Sequence, residues 1–198
     1  MTNTFGNGLL ELIKSDLFRY NGRIGILCFF KTFVLVPGFR YSFWWRVASS
    51  LNTFVTGNIM KKAAGGGIFL IIRLIYRHYC YRFGIEIPLG TKIGKGLRIN
   101  HFTGIIINGK TVIGKNFTIQ QGANVVAGRY GDCPIIGDNV YISAGGVIIG
   151  GRSIGSGVVI GANAVVTHDL PENAVAAGVP AKIMSYSGSG DFVINTVE

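Results

Sequence analysis

Residues 136–166 read IGDNVYISAGGVIIGGRSIGSGVVIGANAVV, and an aliphatic residue recurs at every sixth position of this stretch. These residues are Ile136, Ile142, Ile148, Ile154, Ile160 and Val166. A period of six fits neither the two-residue alternation of an ordinary strand nor the 3.6-residue repeat of a helix. It is typical of a β-solenoid, in which each hexad forms a short strand and a turn and three hexads complete one triangular turn of chain. We therefore expect these side chains to stack inside a prism.

The same period extends towards the N-terminus in two further sets. They are Ile107, Ile113, Ile119 and Val125, and before them Ile87, Ile93 and Ile99. Two additional residues separate these two sets, and the segment AGRYGDC interrupts the period after Val125, which we interpret as a loop leaving the solenoid. About twelve to thirteen hexads predict a prism of roughly four turns, on the order of 20 Å tall at ~4.8 Å per turn.

Composition separates the first 84 residues from the rest. The 198 residues include 19 Lys and Arg against nine Asp and Glu, a net charge of +10. Residues 1–84 hold eleven of these basic and two of the acidic residues, or +9, and residues 85–198 hold eight and seven, or +1. With 48% hydrophobic residues the chain is too apolar for disorder, and its thirty glycines lack the Gly-X-Y period of collagen. The basic excess predicts an anionic partner for the N-terminal part.

Two apolar runs in the N-terminal part have helical spacing. They are IGILCFFKTFVLV and IFLIIRLI, interrupted by Lys31 and Arg73, and each is shorter than the ~18 residues of a spanning helix. We expect α-helices across residues 1–84, with a break at Gly65–Gly67. Their basic and apolar faces predict peripheral attachment to a membrane surface, with helix packing or an oligomer contact as the alternative. No signal-peptide pattern is present, which favours the cytoplasm, at the inner face of the membrane.

Several chemistries find no support in the residue pattern. Three cysteines without a C-x-x-C spacing predict neither a disulfide framework nor a zinc ribbon. Two of the three histidines, His101 and His168, fall in the solenoid and His78 falls outside it, so we expect no metal site. The basic charge comes without a recognised reading motif, so we expect no nucleic-acid partner.

One histidine has a position suited to catalysis. His101 follows Ile99 by two residues, off the inward-facing register, so its side chain should project from the prism. Glu86 precedes it by fifteen residues, close to the eighteen of one turn, and the two could stack on adjacent turns. A carboxylate that accepts a hydrogen bond from one ring nitrogen leaves the other free as a general base. The alternative is a surface histidine and an unrelated glutamate.

A family resemblance covers about 100 residues, Ile85 to Ile183. The runs IEIPLGTKIGKGLRINHFTGIIINGKTVIG, CPIIGDNVYISAGGVIIGGRSIGSGVVIGANAVV and AAGVPAKI resemble the hexapeptide-repeat solenoid of serine acetyltransferases and their polysaccharide-modifying relatives. Upstream, VPGFRYSFWWRVASSL is similar to the helix that precedes this solenoid. The resemblance implies a mainly β protein: an α-helical region at 1–84, a left-handed parallel β-helix at 85–184, and a tail at 185–198, which we expect to be poorly packed.

The resemblance also implies a site. The family's catalytic histidine matches His101, and its orienting carboxylate matches Glu86. His101 would then take the proton of an acceptor hydroxyl that attacks acetyl-CoA, the co-substrate. Four small positions would contact the coenzyme arm, and a basic one would lie near its nucleotide end: Ser143, Ala144, Gly161, Ala162 and Lys182. The small residues would equally satisfy corner geometry alone. The family further implies a homotrimer with the acyl-donor cleft between prisms.

Two departures from the family bear on the acceptor. The Asp and His that help serine acetyltransferases hold serine are replaced by Asn100 and Cys133. Losing charged contacts weakens amino-acid recognition, so we expect a neutral sugar. Asp16 and Arg129 are further predicted substrate-binding residues.

These observations lead to a functional prediction with alternatives. We expect an acetyl-CoA-dependent O-acetyltransferase that acts on a sugar hydroxyl of a cell-surface polysaccharide or its lipid-linked or nucleotide-sugar precursor. The nearest alternative is a serine O-acetyltransferase of cysteine biosynthesis. N-acetylation of an amino sugar and a non-catalytic solenoid, acting as a scaffold or binding module, are the others.

Overall fold

The computed structural model of the chain describes residues 8–56 and 59–198. Four helices come first: α1 (Leu9–Asn21), α2 (Ile26–Leu35), α3 (Pro37–Thr56) and α4 (Ile59–Phe83). The strands that follow are β1 (Ile85–Glu86), β2 (Lys92–Ile93), β3 (Arg98–Asn100), β4 (Ile105–Ile107), β5 (Val112–Ile113), β6 (Thr118–Gln120), β7 (Asn124–Val126), β8 (Ile135–Ile136), β9 (Tyr141–Ile142), β10 (Val147–Ile149), β11 (Ser153–Ile154), β12 (Val159–Ile160), β13 (Val165–Val166), β14 (Val175–Ala177) and β15 (Lys182–Ser185).

The strands form the three faces of a prism. Face 1 has the order β1-β4-β7-β10-β13, face 2 has β11-β8-β5-β2, and face 3 has β15-β14-β12-β9-β6-β3. Neighbours are parallel except for the antiparallel pair β14 and β15. The predicted β-solenoid is confirmed, but it has five turns instead of four. Its last turn uses Leu170 and Ala176, which do not continue the six-residue spacing from Val166.

The strand register shows where the chain departs from eighteen residues per turn. Ile142 pairs with Ile160, the regular spacing, whereas Ile99 pairs with Ile119 and Ile119 with Ile142, spacings of 20 and 23 residues. The two additional residues of the first turn lie in the corner between β3 and β4, at residues 101–104. The five of the second turn belong to the loop AGRYGDC. Both irregularities of the sequence period are therefore protrusions from the prism.

A buried ion pair attaches the helices to the first turn of the solenoid. The Arg46 guanidinium donates to both carboxylate oxygens of Asp16, at 3.0 and 3.1 Å, and to the carbonyl oxygens of Ile93 and Gly94. The Leu97 amide donates to Asp16 as well. Burial raises the pKa of Asp16, and the Arg46 charge opposes that shift. The pair joins α1 and α3 to the chain around β2 and β3.

The glycines of α4 do not interrupt it. Helix α4 continues from Ile59 to Phe83, so the predicted break at Gly65–Gly67 is wrong. Glycine lowers helix stability by about 1 kcal/mol relative to alanine but leaves the backbone hydrogen bonds intact. A 25-residue helix can absorb this cost where its far end packs on the core, as Tyr76 and Phe83 do.

The C-terminal segment is packed, contrary to the expectation for residues 185–198. It follows the corner between faces 2 and 3 from the last turn back to the first. Ser189 donates to the carbonyl oxygen of Asn139, and Val197 exchanges two hydrogen bonds with Asn116. Val193 is 5% exposed. The segment lacks the hexad pattern because it adds no turn to the solenoid but lies along it.

Within residues 8–56 and 59–198, no single helix is both long and apolar enough to cross a bilayer. Helix α2 and residues 37–54 of α3 meet the requirement only as a pair, with a bend of 108° between them.

Candidate active site

His101 lies on the protruding corner between β3 and β4. Its own φ is 53°, and Thr103 has a φ of 121°, followed by Gly104 at 68°. Positive φ is rare for residues other than glycine, and for a β-branched residue such as Thr103 it is a strained conformation. The two additional residues of the first turn therefore lift this corner out of the regular coil. Strained backbone of this kind is concentrated at functional sites.

Helices hold the corner from outside. The Phe102 ring lies 5.0 Å from the Phe83 ring at the end of α4. From α1, the Tyr20 hydroxyl accepts a hydrogen bond from the Ile99 amide, at 2.9 Å, and donates to the Ile99 carbonyl oxygen, at 3.2 Å. At Gly38 of α3 even a Cβ atom would lie 2.1 Å from that carbonyl oxygen. The helical region thus positions the strand that ends one residue before His101.

A cavity of about 390 Å³ opens beside His101. It lies between β3 and the corner on one side and the helices on the other. Its lining residues are Tyr20, Asn21, Val36, Pro37, Gly38, Arg98, Ile99, Asn100, His101 and Phe102. Asn100 therefore lies at the predicted substrate side of His101, together with Arg98, a cation that the sequence reasoning missed. The available signal was its place on β3, two residues before Asn100 and so on the same face of the strand.

Glu86 lies on the other side of the same corner. It pairs in register with Ile106 on face 1 and lines a larger cavity, of about 800 Å³, with Gly84 and Gly104. Among the described residues, neither the Glu86 nor the His101 side chain has a hydrogen bond. The predicted carboxylate–imidazole contact is therefore unformed in this chain. Catalytic hydrogen bonds are often long or open before substrates bind, so the role of Glu86 stays a prediction.

The positions expected to contact acetyl-CoA line up on the corner that carries His101. Because Ile142 pairs with Ile160, Ser143 and Ala144 stack on Gly161 and Ala162, one turn further along. Lys182 pairs with Ala177 on the turn after that. At ~4.8 Å per strand spacing, the track runs roughly 10 Å from His101 to Ala144 and ~24 Å to Lys182, which lies on the strand beyond β14. An extended thioester arm could follow it with its acyl end at His101.

The other three predicted substrate residues lie away from His101. Asp16 is 1% exposed and bound to Arg46, so it holds the helices and is not carried into the site. The Cys133 thiol donates to the Asn108 side-chain oxygen, at 3.2 Å, on the corner between faces 1 and 2. Arg129 is exposed on the adjoining loop. Within one chain, the solenoid places Cys133 and Arg129 on a different corner from His101.

No protein-family model matches the chain. Curated proteins do match more than half of it. The serine acetyltransferase of Staphylococcus aureus strain Mu50 is 44% identical over 110 residues, which are 53% of this chain and 51% of the relative. That of Staphylococcus epidermidis strain RP62A is 41% identical over 125 residues, which are 61% and 58%. The chain thus spans about half the length of the curated relatives it matches.

Solved structures similar to this chain include several serine acetyltransferases. Serine acetyltransferase of Brucella abortus superposes with a TM-score of 0.73 at 24% identity, covering 91% of this chain and 70% of that one. A serine acetyltransferase in complex with CoA gives 0.68 at 27%, covering 89% and 69%. The Neisseria gonorrhoeae enzyme in complex with serine gives 0.69 at 27%, covering 88% and 68%. Both comparisons find serine acetyltransferases.

These findings correct the functional prediction. The resemblance to hexapeptide-repeat serine acetyltransferases is supported, whereas the closer resemblance to capsule and exopolysaccharide O-acetyltransferases is not. The prediction of a sugar acceptor in polysaccharide biosynthesis is wrong, because the relatives and the structural neighbours are serine acetyltransferases. Asn100 and Cys133 each lack a charge that serine acetyltransferases have at the same position. Arg98, in the cavity beside His101, supplies a charge that the sequence prediction did not consider.

Proposed function

We propose that the chain is an acetyl-CoA-dependent serine O-acetyltransferase. The observation that carries the proposal is the 44% identity to a serine acetyltransferase over 110 residues, which are 53% of the chain. The neighbours in complex with CoA and with serine support both substrates. We place this O-acetylation of serine in cysteine biosynthesis, as in the nearest alternative predicted from the sequence.

In this reaction His101 is the general base. Its ring nitrogen takes the proton of the serine hydroxyl, and the oxygen attacks the thioester carbonyl of acetyl-CoA. The C–S bond then breaks and the imidazolium returns the proton to the departing sulfur, which leaves O-acetylserine and the thiol of CoA. Glu86, on the other side of the same corner, is the carboxylate that orients the imidazole in this proposal. The cavity beside His101 takes the acceptor, and the track from Ala144 to Lys182 takes the acyl donor. The exposed position of His101 supports this role, because both substrates must reach it.

The proposal extends to a homotrimer. Large aliphatic side chains remain exposed on the outside of the prism, including Ile106 at 45%, Ile135 at 62% and Ile149 at 38%. Burial of such side chains between neighbouring prisms would stabilise an assembly by roughly 25 cal/mol per Å². In an assembly of this kind, Cys133 and Arg129 could face the His101 corner of a neighbouring copy.

The helical region supports peripheral membrane attachment, which we include in the proposal. On α2, the side chains of Ile26, Leu27, Phe30, Val34 and Leu35 are 58–82% exposed. Six Lys and Arg but one Asp or Glu are exposed among the described side chains of residues 8–83. A large apolar face is unusual on a free surface, and a basic surround favours an anionic lipid headgroup as its partner over a second copy of equal charge.

Thiol release from acetyl-CoA tests the reaction. We expect release with L-serine and none above background with free sugars or nucleotide sugars. The variant His101→Ala should lose about 10²- to 10⁴-fold in kcat, the usual contribution of a general base. His168→Ala, at another exposed histidine of the solenoid, is the matched control and should keep full activity. Binding of CoA without turnover of any acceptor would favour a non-catalytic solenoid.

A further inference from the structure

The Arg98 side chain is fixed through the Nε atom of its guanidinium group. Its Nε donates to the side-chain oxygen of Asn100, at 2.9 Å, and its guanidinium carbon lies 5.5 Å from the centre of the Tyr20 ring. Among the described residues, its two terminal nitrogens have no hydrogen-bond partner and no carboxylate lies within ion-pair distance. The Arg98 side chain is half-exposed on β3 and lines the cavity that opens beside His101. Apart from the Asn100 oxygen and the Tyr20 ring, the guanidinium therefore has no partner among the described residues.

No negative charge on the cavity wall neutralises the Arg98 cation. None of the residues that line the cavity is acidic. The other nearby cation, Arg19, is 0% exposed. Its guanidinium donates to the carbonyl oxygens of Ile194 and Gly96 and to the Thr118 hydroxyl. Arg98 is therefore the arginine lining this cavity whose terminal nitrogens can bind an anion. Planar guanidinium groups bind carboxylates with two parallel hydrogen bonds, which adds orientation to charge.

We propose that Arg98 binds the carboxylate of the acceptor amino acid and is the residue that selects a carboxylate-bearing acceptor. This inference rests on the proposed serine O-acetylation and adds a residue for it. Asn100 acts through Arg98 as a positioning residue, because its amide oxygen holds Nε and leaves the terminal nitrogens for the substrate. A carboxylate at position 100 would instead pair with Arg98 and neutralise it. The neutral Asn100 is then compatible with an amino-acid acceptor.

The test compares two acceptors that differ in the carboxylate. L-Serine and L-serinamide carry the same hydroxyl and ammonium groups, but serinamide is uncharged where serine has its carboxylate. We expect the wild-type protein to prefer serine in kcat/KM. Arg98→Met should raise KM for serine about 10- to 100-fold, the usual size of a charged hydrogen bond, and change kcat/KM for serinamide less than threefold. Lys115→Met, at a half-buried cation on the corner between faces 2 and 3, is the control.

A second variant keeps the guanidinium in place. Asn100→Ala, which removes the oxygen that holds Nε but keeps the Arg98 charge, should raise KM for serine less than Arg98→Met does, and its thermal unfolding shows that the protein is folded. Arg98→Lys, which keeps the charge but not the paired donors, should fall between wild type and Arg98→Met. Equal losses with both acceptors, or no change with serine, would overturn the role of Arg98 and leave serine acetylation standing. A wild-type protein that does not acetylate serine would overturn both.

Discussion

At the scale of single residues, a missing side chain decides how closely α3 approaches the solenoid. The backbone of Gly38 lies against the Ile99 carbonyl oxygen, so near that any Cβ would overlap it. The same carbonyl belongs to the strand that leads into His101. Stability and the geometry of the site therefore depend on one glycine.

The prediction is that Gly38→Ala destabilises the protein and disturbs the site. Overpacking of this kind costs about 1–3 kcal/mol in the free energy of unfolding, which urea denaturation measures. Gly67→Ala is the matched control, since both glycines lie in helices but a Cβ at Gly67 meets nothing within 4 Å. That variant should gain about 0.5–1 kcal/mol from helix propensity. A Gly38→Ala protein as stable as wild type would contradict the close contact.

The site shows what residue patterns can and cannot predict. His101 was identified because the spacing from Ile99 and the motif around it are local in sequence. Arg98 was missed because a lone arginine on a strand is usually a solvated surface residue. Its role depends on the absence of an acidic partner, a tertiary fact. The ion pair of Asp16 could not be predicted for the same reason, since its partner Arg46 is 30 residues away in sequence.

At the scale of elements, the solenoid was predictable and its attachments were not. Each hexad encodes its own strand and corner, so the period alone indicates the prism. The packing of α1 and of the C-terminal segment depends on contacts between distant parts of the chain, such as Arg19 with the Ile194 carbonyl oxygen. A repeat in the local sequence cannot predict contacts between residues so far apart in the chain. The fifth turn was missed because Leu170 and Ala176 do not continue the spacing.

The Asp16–Arg46 pair gives an element-scale prediction. Asp16→Asn leaves the Arg46 charge buried without its counterion, and breaking a buried pair in this way costs about 3–5 kcal/mol in the free energy of unfolding. Glu11→Gln, in the same helix, removes an exposed partner of Lys95 at 3.5 Å and should cost less than about 1 kcal/mol. Urea denaturation of both variants checks the difference. Equal losses would mean that the buried pair does not hold α1 and α3 on the solenoid.

At the scale of the whole molecule, charge and apolar surface are both concentrated on the helical side. The solenoid is nearly neutral, while the helices expose apolar side chains such as Leu27, at 82%, among basic ones. The molecule therefore has one side suited to a lipid surface and a prism that carries the proposed chemistry.

Vesicle sedimentation tests this arrangement. The protein should bind vesicles that contain phosphatidylglycerol, bind phosphatidylcholine vesicles weakly, and dissociate as salt rises, because the basic side chains supply part of the affinity. Leu27→Ser with Phe30→Ser should weaken binding about tenfold. Tyr186→Ser, at a 63% exposed side chain of the C-terminal segment, should leave it unchanged. An absence of binding, with the helical face buried between two copies in solution, would refute the membrane assignment.

The contact between α1 and the C-terminal segment has a consequence for the order in which the protein folds during synthesis. Arg19 is made 175 residues before Ile194, whose carbonyl oxygen takes its Nε–H. At about 5–20 residues per second, that interval lasts roughly 9–35 s. The solenoid can wind turn by turn behind the ribosome in that time, while α1 keeps one buried donor unmatched. The N-terminal helix is therefore secured only after the whole solenoid has been synthesised.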